Sequence, residues 1–460
     1  MSIPFVSVVI VNYNGKHYLP ACLDGLRCQT YPADAFEVIV SDNGSKDGSV
    51  ELLRSQYPWV RVLENGRNLG FAAGNNVAFQ AAKGQYLAAL NNDTIPAPDW
   101  LDQLVRFGEQ HPRAGIINGH SRLFYDQLIL ELQSEPFQPE NDSRQLGVQL
   151  QAVDSGAPRG VVQYLEGFYG WEGPAPSRYR WTGAHARIGV PVPPGVEGWI
   201  LDLTLCAPRP ADQPVRVGLL LGEESLAEWT LAGPSPQTFQ ITLPARARSL
   251  AEPLVQNAGS TINHDGYGQD RGTFAVNSEM FFEVDQNQYA DGMITAACGA
   301  NILLRIAMLA EIGAFDSRFF MYYEDADLSW RAWLAGWEVV YAHEAVIRHI
   351  HCGTTQEWSP FFIFYTERNR LAMLLKNGTA RQVLHNWARY GLGVARRTLG
   401  LIKALIIPIP NRRALLGRLM TQYRVILSLI AWLPVLLWQR AGIQRKRHVL
   451  PAQISQGLSR

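Results

Sequence analysis

Residues 6–14 read VSVVIVNYN, a β-branched run with a single serine that ends on two amides. Such a run, with no polar alternation, suits a strand buried on both faces. The next eighty residues repeat the theme. Residues 17–26 place Tyr18, Leu19, Cys22, Leu23 and Leu26 at helical spacing, and residues 37–41 (EVIVS) form a second strand. The periodicity then predicts a helix over 48–57, a strand over 60–64, a helix over 74–82 and a strand over 86–90. Strands alternating with helices indicate an α/β layer structure with a mostly parallel, Rossmann-like sheet. Ligands of such sheets bind beyond the carboxyl ends of the strands. Asn12, Asp42, Asn68 and Asp93 each follow a strand, so they are expected along one edge.

From residue 127 to 253 helical periodicity gives way to strict alternation. Trp199, Leu201, Leu203 and Leu205 alternate with other residues, as do Val215, Val217, Leu219 and Leu221. With proline and glycine punctuation, this is the pattern of an antiparallel β-sandwich or jelly roll. The expected organisation is a discontinuous catalytic domain (1–126 and 254–380), an inserted β-domain (127–253) and a helical tail (381–460). The insert opens with GFYGWEGPAPSRYRWTG, whose Phe168, Tyr169, Trp171, Tyr179 and Trp181 could either stack on sugar rings or fill a core.

The 41 basic and 41 acidic residues cancel, so net charge names no partner. Their placement does. No carboxylate side chain follows Glu367, whereas bases continue to the end, which suits an anionic lipid surface and is not taken as a nucleic-acid tail. The stretch 425–438 (VILSLIAWLPVLLW) is short for a membrane span, is interrupted by Pro434 and is flanked by Arg424 and Arg440. Basic flanks and tryptophans favour a helix lying in the membrane interface, the alternative being a buried helix of a C-terminal bundle. Five scattered cysteines without C-x-x-C spacing fit a reducing compartment. Residues 1–15 have no basic leader and read as the first strand, giving an expected cytoplasmic location at the membrane's inner face.

Several short segments carry chemistry. Asp42 in VSDNGSKDGS is accounted for by turn chemistry alone. The segment ENGRNLGFAAGNN (64–76) has three spaced glycines but is no dinucleotide fingerprint, because G-x-G-x-x-G after the first strand is missing. LNNDT (90–94) ends a strand with one carboxylate. In MYYEDADLSWR (321–331), Glu324, Asp325 and Asp327 crowd a helix start, where the helix dipole welcomes acids. Adjacent carboxylates also raise one another's pKa, as a general base requires. HIHCGTT (349–355) sets two histidines on opposite faces of a strand end.

In order, SVVIVNYNG, VSDNGSKDGS, RNLGFAAGNN, LNNDT, CGANILLR, IGAFDSRFFMYYEDADLSWR and HIHCGTT resemble the inverting glycosyltransferases of family 2, with the GT-A fold. The similarity extends over about residues 7–120 and 255–369, and is greatest to the rhamnosyltransferase- and galactofuranosyltransferase-like branch. It implies transfer of a sugar from a nucleoside-diphospho-sugar to a glycan, with a lipid-linked acceptor of cell-surface or cell-wall polysaccharide synthesis. Many relatives have D-x-D where this chain has Asn91-Asn92-Asp93, so Asp93 is the counterpart of the metal-binding acid. A Mg²⁺ or Mn²⁺ ion needs few protein carboxylates, and His349 is the candidate second ligand, one better suited to Mn²⁺. The resemblance makes Asp325 the base, with Glu324 orienting the acceptor. Asp42, Asn12, Asn14 and Asn92 would line the nucleotide pocket, Arg67 and Asn68 would contact diphosphate or ribose, and Arg368 is a weaker phosphate candidate. The alternative is an inactive protein of the same fold that binds glycans through its β-insert.

Overall fold

The computed structural model describes residues 3–157, 162–174, 177–193, 198–209, 213–277, 279–350, 359–406, 412–451 and 454, with the side chains of 404–414 outside that description. The chain forms two compact units. The first comprises residues 1–122, 255–273 and 287–460, and the second residues 123–254 and 274–286.

The first unit begins β1 (Val6–Asn12), α1 (Leu19–Arg27), β2 (Phe36–Asp42), α2 (Ser49–Gln56), β3 (Arg61–Glu64), α3 (Gly70–Ala81), β4 (Tyr86–Asn91), β5 (Thr94–Pro96), α4 (Trp100–Gln110) and β6 (Ala114–Leu123). Strands β4, β1, β2 and β3 lie side by side and parallel, in that order. The sheet continues past β4 with Asn301–Arg305, β6 and Leu254–Asn257, all antiparallel to their neighbours. The mixed α/β layer is therefore the one the sequence indicates. Val8 and Ile10 point into the core beneath α1 and α4, while Val9 joins Ile39, Leu87 and Ala89 beneath α3. Covering on both faces is why the strand needs no polar alternation. Each fully buried aliphatic side chain contributes roughly 1.5–3 kcal/mol.

Register aligns the strand ends. Asn12 pairs with Asp42, Asp42 with Glu64, and Val11 with Asn91. The long strand Glu338–His349 runs antiparallel to β5 and sets His349 opposite Thr94. Helix α3 starts at Gly70, four residues before the expected start at 74. The reason is local: the Asn68 side chain accepts from the Gly70 N–H, and Gly70 takes φ +79°.

The remaining helices are α5 (Ile306–Ile312), α6 (Glu324–Leu334), α7 (Pro360–Asn377), α8 (Ala380–Ile406) and α9 (Arg412–Lys446). A buried ion cluster ties three of these elements. Lys376 on α7 sits 2.9 Å from Asp316 and 2.8 Å from Asp327 on α6, and Asp327 also pairs with Arg331 at 2.9 Å. Gln439 of α9 donates to Asp316. Burial opposes ionisation, yet the neighbouring cations hold both carboxyls below their ordinary range. The tail from 381 packs its inner surface on α7 within this unit. Pro434, expected to interrupt the apolar stretch, lies inside a continuous α9.

The second unit is all antiparallel. Its strands Asp126–Ser134, Gln149–Asp154, Gln163–Glu172, Tyr179–Val192, Ile200–Ala207, Val215–Leu221, Glu224–Leu231 and Gly233–Thr242 form one hydrogen-bonded sheet. Tyr179–Val192 is the corner. Its first residues pair with Gln149–Asp154 and its later ones with Asp126–Ser134. Inward residues of both halves, among them Leu128, Leu130, Leu203, Leu205 and Val217, then share one core. The unit also takes in residues 274–286, which the sequence pattern assigns to the catalytic domain. Phe282 packs with Leu123 and Leu254, its N–H donates to Gln163 Oε1 at 2.8 Å, and Glu279 pairs with Arg180. Partners this far apart along the chain leave no periodic trace in sequence. Of the insert's aromatics, Trp181 is buried and Phe168 packs on the core, whereas Trp171 is 40% exposed.

Candidate active site

The carboxyl ends of β1, β2 and β4 are laced by side chains. Asn12 donates to Asp42 at 2.8 Å and accepts from Asn92 Nδ2 at 2.8 Å. Asp42 is buried and accepts in addition from the backbone of Gly44 and Ser45 and from the Ser45 hydroxyl. Asn14, at φ +51°, accepts from Lys46 N and its own N–H donates to Ser45 Oγ. Residues 13–16 and 43–47 are thus one knit rim. A Cβ on Gly15 would stand 2.1 Å from Asn92 Nδ2, so only glycine lets the rim close over the network. Asn12, Asn14, Asp42 and Asn92, singled out as nucleotide contacts, are brought together here. Asn68 is used in building the turn before α3, and the Arg67 side chain is exposed.

Asp93 sits in the two-residue link between β4 and β5, and the β5 register delivers His349 to it: Nε2 lies 3.1 Å from Asp93 Oδ1. Both side chains are largely buried. His349 Nδ1 lies 2.7 Å from Gln256 Oε1, while Nε2 faces Asp93 Oδ1 with Asn91 Nδ2 3.5 Å away. A ring nitrogen and a carboxylate oxygen at this distance can be bridged by the ring's own proton or, with that proton on Nδ1, by a divalent metal ion. Outer partners such as Gln256 orient metal-bound imidazoles in this way. Gln256 was not identifiable from sequence, because nothing marks one glutamine in a strand remote from both Asp93 and His349. Among the described residues no cluster of three or more His, Cys, Asp or Glu forms a metal cage. Two protein ligands, with phosphate oxygens and water completing the shell, do fit Mg²⁺ or Mn²⁺. The second histidine of HIHCGTT, at position 351, lies outside the described residues.

The acid pair at the start of α6 is connected to this edge through the chain 298–301. Asn91 N donates to Ala300 O, and the next N–H back, that of Gly299, donates to Asp325 Oδ2 at 2.8 Å. Asp325 Oδ1 accepts from Ala326 N at 2.7 Å. Burial raises the Asp325 pKa, these two N–H groups pull it back, and the Asp270 charge raises it again. Asp270 is a third acid that no sequence motif marks, held by Asn257 and Ser260. Glu324 is buried, with no hydrogen-bond partner for Oε2 among the described residues, and burial together with the Asp325 charge pushes its pKa well up. The two carboxyls are thus held with unequal proton affinities.

The approach to α6 is strained. Phe320, Tyr322 and Tyr323 all have positive φ (66°, 68° and 69°), a region that bulky residues seldom adopt. Phe320 is the centre of a γ-turn closed by Met321 N to Phe319 O at 2.7 Å. Asn369 of α7 holds the segment, its Nδ2 donating to the carbonyls of Phe319, Met321 and Tyr322. Arg368 donates to the carbonyls of Arg318 and Phe319 and stacks on Trp432. Burial lowers the Arg368 pKa to about 10. The guanidinium suggested as a phosphate contact is therefore committed to the protein's own backbone.

Two family models match the chain. Residues 7–156 match "Glycosyl transferase family 2", and residues 263–445 match "Glycosyl transferase family group 2". Curated relatives include the glycosyltransferase AglE of Haloferax volcanii, 36% identical over 107 residues (23% of this chain, 35% of that protein). They also include the putative glycosyltransferase EpsH of Bacillus subtilis, 31% identical over 109 residues (23% and 31%). A poly(ribitol-phosphate) β-glucosyltransferase of Bacillus spizizenii is 32% identical over 110 residues (23% and 17%). The matched stretch spans about a third or less of each of these relatives. Among solved structures, GalNAc-T7 with UDP, GalNAc and Mn²⁺ overlaps with a TM-score of 0.44 at 12% identity, covering 82% of this chain and 48% of that one. A Pyrobaculum calidifontis mannosyltransferase with GDP-mannose and Mn²⁺ overlaps with a TM-score of 0.40 at 13% identity, covering 94% and 87%.

Proposed function

We propose, starting from the glycosyl transferase family matches over residues 7–156 and 263–445, that the protein moves a sugar from a nucleoside-diphospho-sugar to a glycan hydroxyl with inversion at the anomeric carbon. The observation that carries this reading is the delivery of His349 to Asp93 at the same strand ends as the Asn12–Asp42–Asn92 network. In it, Asp93 and His349 hold a Mg²⁺ or Mn²⁺ ion, which when bound offsets the charge growing on the leaving diphosphate. The rim of residues 13–16 and 43–47 shapes the nucleotide pocket, with Asp42 fixing its loop. Arg67, exposed beside it, reaches the diphosphate or ribose. Asp325 takes the acceptor's proton, since a hydroxyl is a poor nucleophile at neutral pH. Its two backbone N–H partners fix the carboxylate's direction. Glu324, next to it in the chain, orients the acceptor and keeps the pair from ionising together. The rhamnosyl- and galactofuranosyl-like motifs favour dTDP-rhamnose or UDP-galactofuranose as donor. The acid-free tail favours a lipid-linked acceptor met at the cytoplasmic membrane surface.

Calorimetric titration with UDP, dTDP and GDP, each with Mn²⁺ and with EDTA, tests the donor site. Metal-dependent binding of one nucleotide that disappears in Asp93→Ala is the expected result. Equal binding in EDTA, or no binding of any nucleotide, would remove the proposal.

A further inference from the structure

Helix α9 is apolar on two opposite faces. Val425, Leu429 and Leu436 are buried in the cluster that contains Leu371 and Leu374 of α7, and Arg440 on the same side donates to the carbonyls of Leu375 and Gly378. On the other side Leu416, Met420, Leu427, Ile430, Leu437 and Trp438 are exposed, with Leu427 at 65% and Trp438 at 76%. Steps of three, four and seven residues put these six within about a third of the helix circumference. Helix α8 repeats the pattern. Leu384, Leu392, Leu399 and Ile402 are exposed along one stripe. Arg396 and Lys403, each four residues after a leucine of that stripe, stand beside it and are also exposed.

We propose that these two stripes are a docking face for an anionic lipid surface, on which α9 lies flat without crossing. The inference deepens, and rests on, the proposal of an acceptor met at the membrane. Exposed apolar area of this extent marks an interaction surface. Charge complementarity selects lipid as the occupant. No acidic side chain follows Glu367, while Arg381, Arg396, Lys403 and Arg445 are exposed bases on or beside the two stripes, the combination that anionic headgroups attract. A second copy of the chain would set these like charges against one another. The segment Leu415–Lys446 is long and apolar enough to span a bilayer. Spanning would strip its inner face from α7, uncovering Val425, Leu429 and Leu436 and leaving the Leu375 and Gly378 carbonyls without Arg440. Lying flat keeps both faces covered.

The test is flotation of the full chain with vesicles of phosphatidylcholine alone and of phosphatidylcholine with phosphatidylglycerol, at low and high salt. Binding is expected with the anionic vesicles, weakened by salt and released by an alkaline carbonate wash. Leu427→Glu with Trp438→Glu should reduce binding at least about tenfold, since both side chains would otherwise leave water. Arg396→Glu with Lys403→Glu should remove most of the preference for phosphatidylglycerol. Circular dichroism and nucleotide titration on the same preparations establish that the variants fold. Any of these results overturns the proposal: wild-type protein that ignores anionic vesicles, folded variants that float like wild type, or protein retained through the carbonate wash. A change from dimer to monomer in the Leu427/Trp438 variant assigns the stripe to a second copy and equally overturns it. Nucleotide titration is independent of vesicles, so loss of one reading leaves the other standing.

Discussion

Replacing Asn369 by alanine removes the one side chain that serves three carbonyls of the strained turn before α6. Asn369 is fully buried, and its Nδ2 lies 2.9, 2.9 and 2.8 Å from the oxygens of Phe319, Met321 and Tyr322. Residues held in such backbone regions cost about 1–3 kcal/mol each, so Phe320, Tyr322 and Tyr323 together store several kcal/mol that only their surroundings offset. Phe319 O keeps Arg368 as a second side-chain donor, whereas Met321 O and Tyr322 O lose the amide that reaches across from α7. Withdrawing the donor from those two acceptors costs about 2–4 kcal/mol if the turn stays in place. Relaxing the turn to negative φ is cheaper, and it displaces Glu324 and Asp325 immediately downstream. The expected outcome for Asn369→Ala is therefore a modest fall in unfolding free energy, below about 2 kcal/mol, with kcat down on the order of 10²-fold from a misplaced base. Nucleotide affinity with metal should hold, because Asp93 and His349 belong to other elements. Urea melts, calorimetry and turnover with the donor identified by titration measure the three quantities. A variant that loses stability yet keeps wild-type kcat would refute the view that the clamp serves the acid pair.

Asp325→Asn cannot accept a proton, so transfer should fall by about 10²–10⁴-fold with nucleotide binding unchanged; in the wild type, log kcat should rise with pH through a value above the ordinary carboxylate range, because Asp325 is raised. Glu324 has a raised folded-state pKa, caused first by burial and then by the Asp325 charge. The stability tied to its protonated form is present at low pH and lost as pH rises through the folded value. Glu324→Gln should accordingly melt a few degrees higher than wild type at pH 8, and the gain should vanish below pH ~4, as differential scanning calorimetry will show. Lys376→Met leaves Asp316 and Asp327 without their shared cation and should cost about 3–5 kcal/mol in urea unfolding.

The parallel layer was legible because its cause is local. VSVVIV and its successors need apolar residues at every position to be covered on both faces, and that leaves a run anyone can count. The start of α3 was misplaced for an equally local reason, a turn in which the Asn68 side chain accepts from the Gly70 N–H and which helical periodicity does not register. Long-range pairings were another matter. Residues 274–286 sort with the insert through contacts to Gln163, Arg180 and Leu254, none of which changes the pattern around them. In the candidate site, Asp93, His349, Glu324 and Asp325 stood out as charged or titratable groups at element ends. Gln256, Asp270 and Asn369 did not, since each matters only for the atom it faces.

Helix α9 shows why composition alone left the tail ambiguous. A helix buried all round, a helix crossing a bilayer and a helix with one face on protein and another on lipid have the same apolar content. What separates them is which half is already covered. Here Val425, Leu429 and Leu436 are, and Leu427 and Trp438 are not. The covered half also presents Trp432 to Arg368, which holds the Phe319 turn ahead of Glu324 and Asp325. The helix proposed to meet the membrane thus supports the clamp on the acid pair through its inner face, so removing the tail should impair turnover even with a water-soluble acceptor. A detachable anchor would not behave that way.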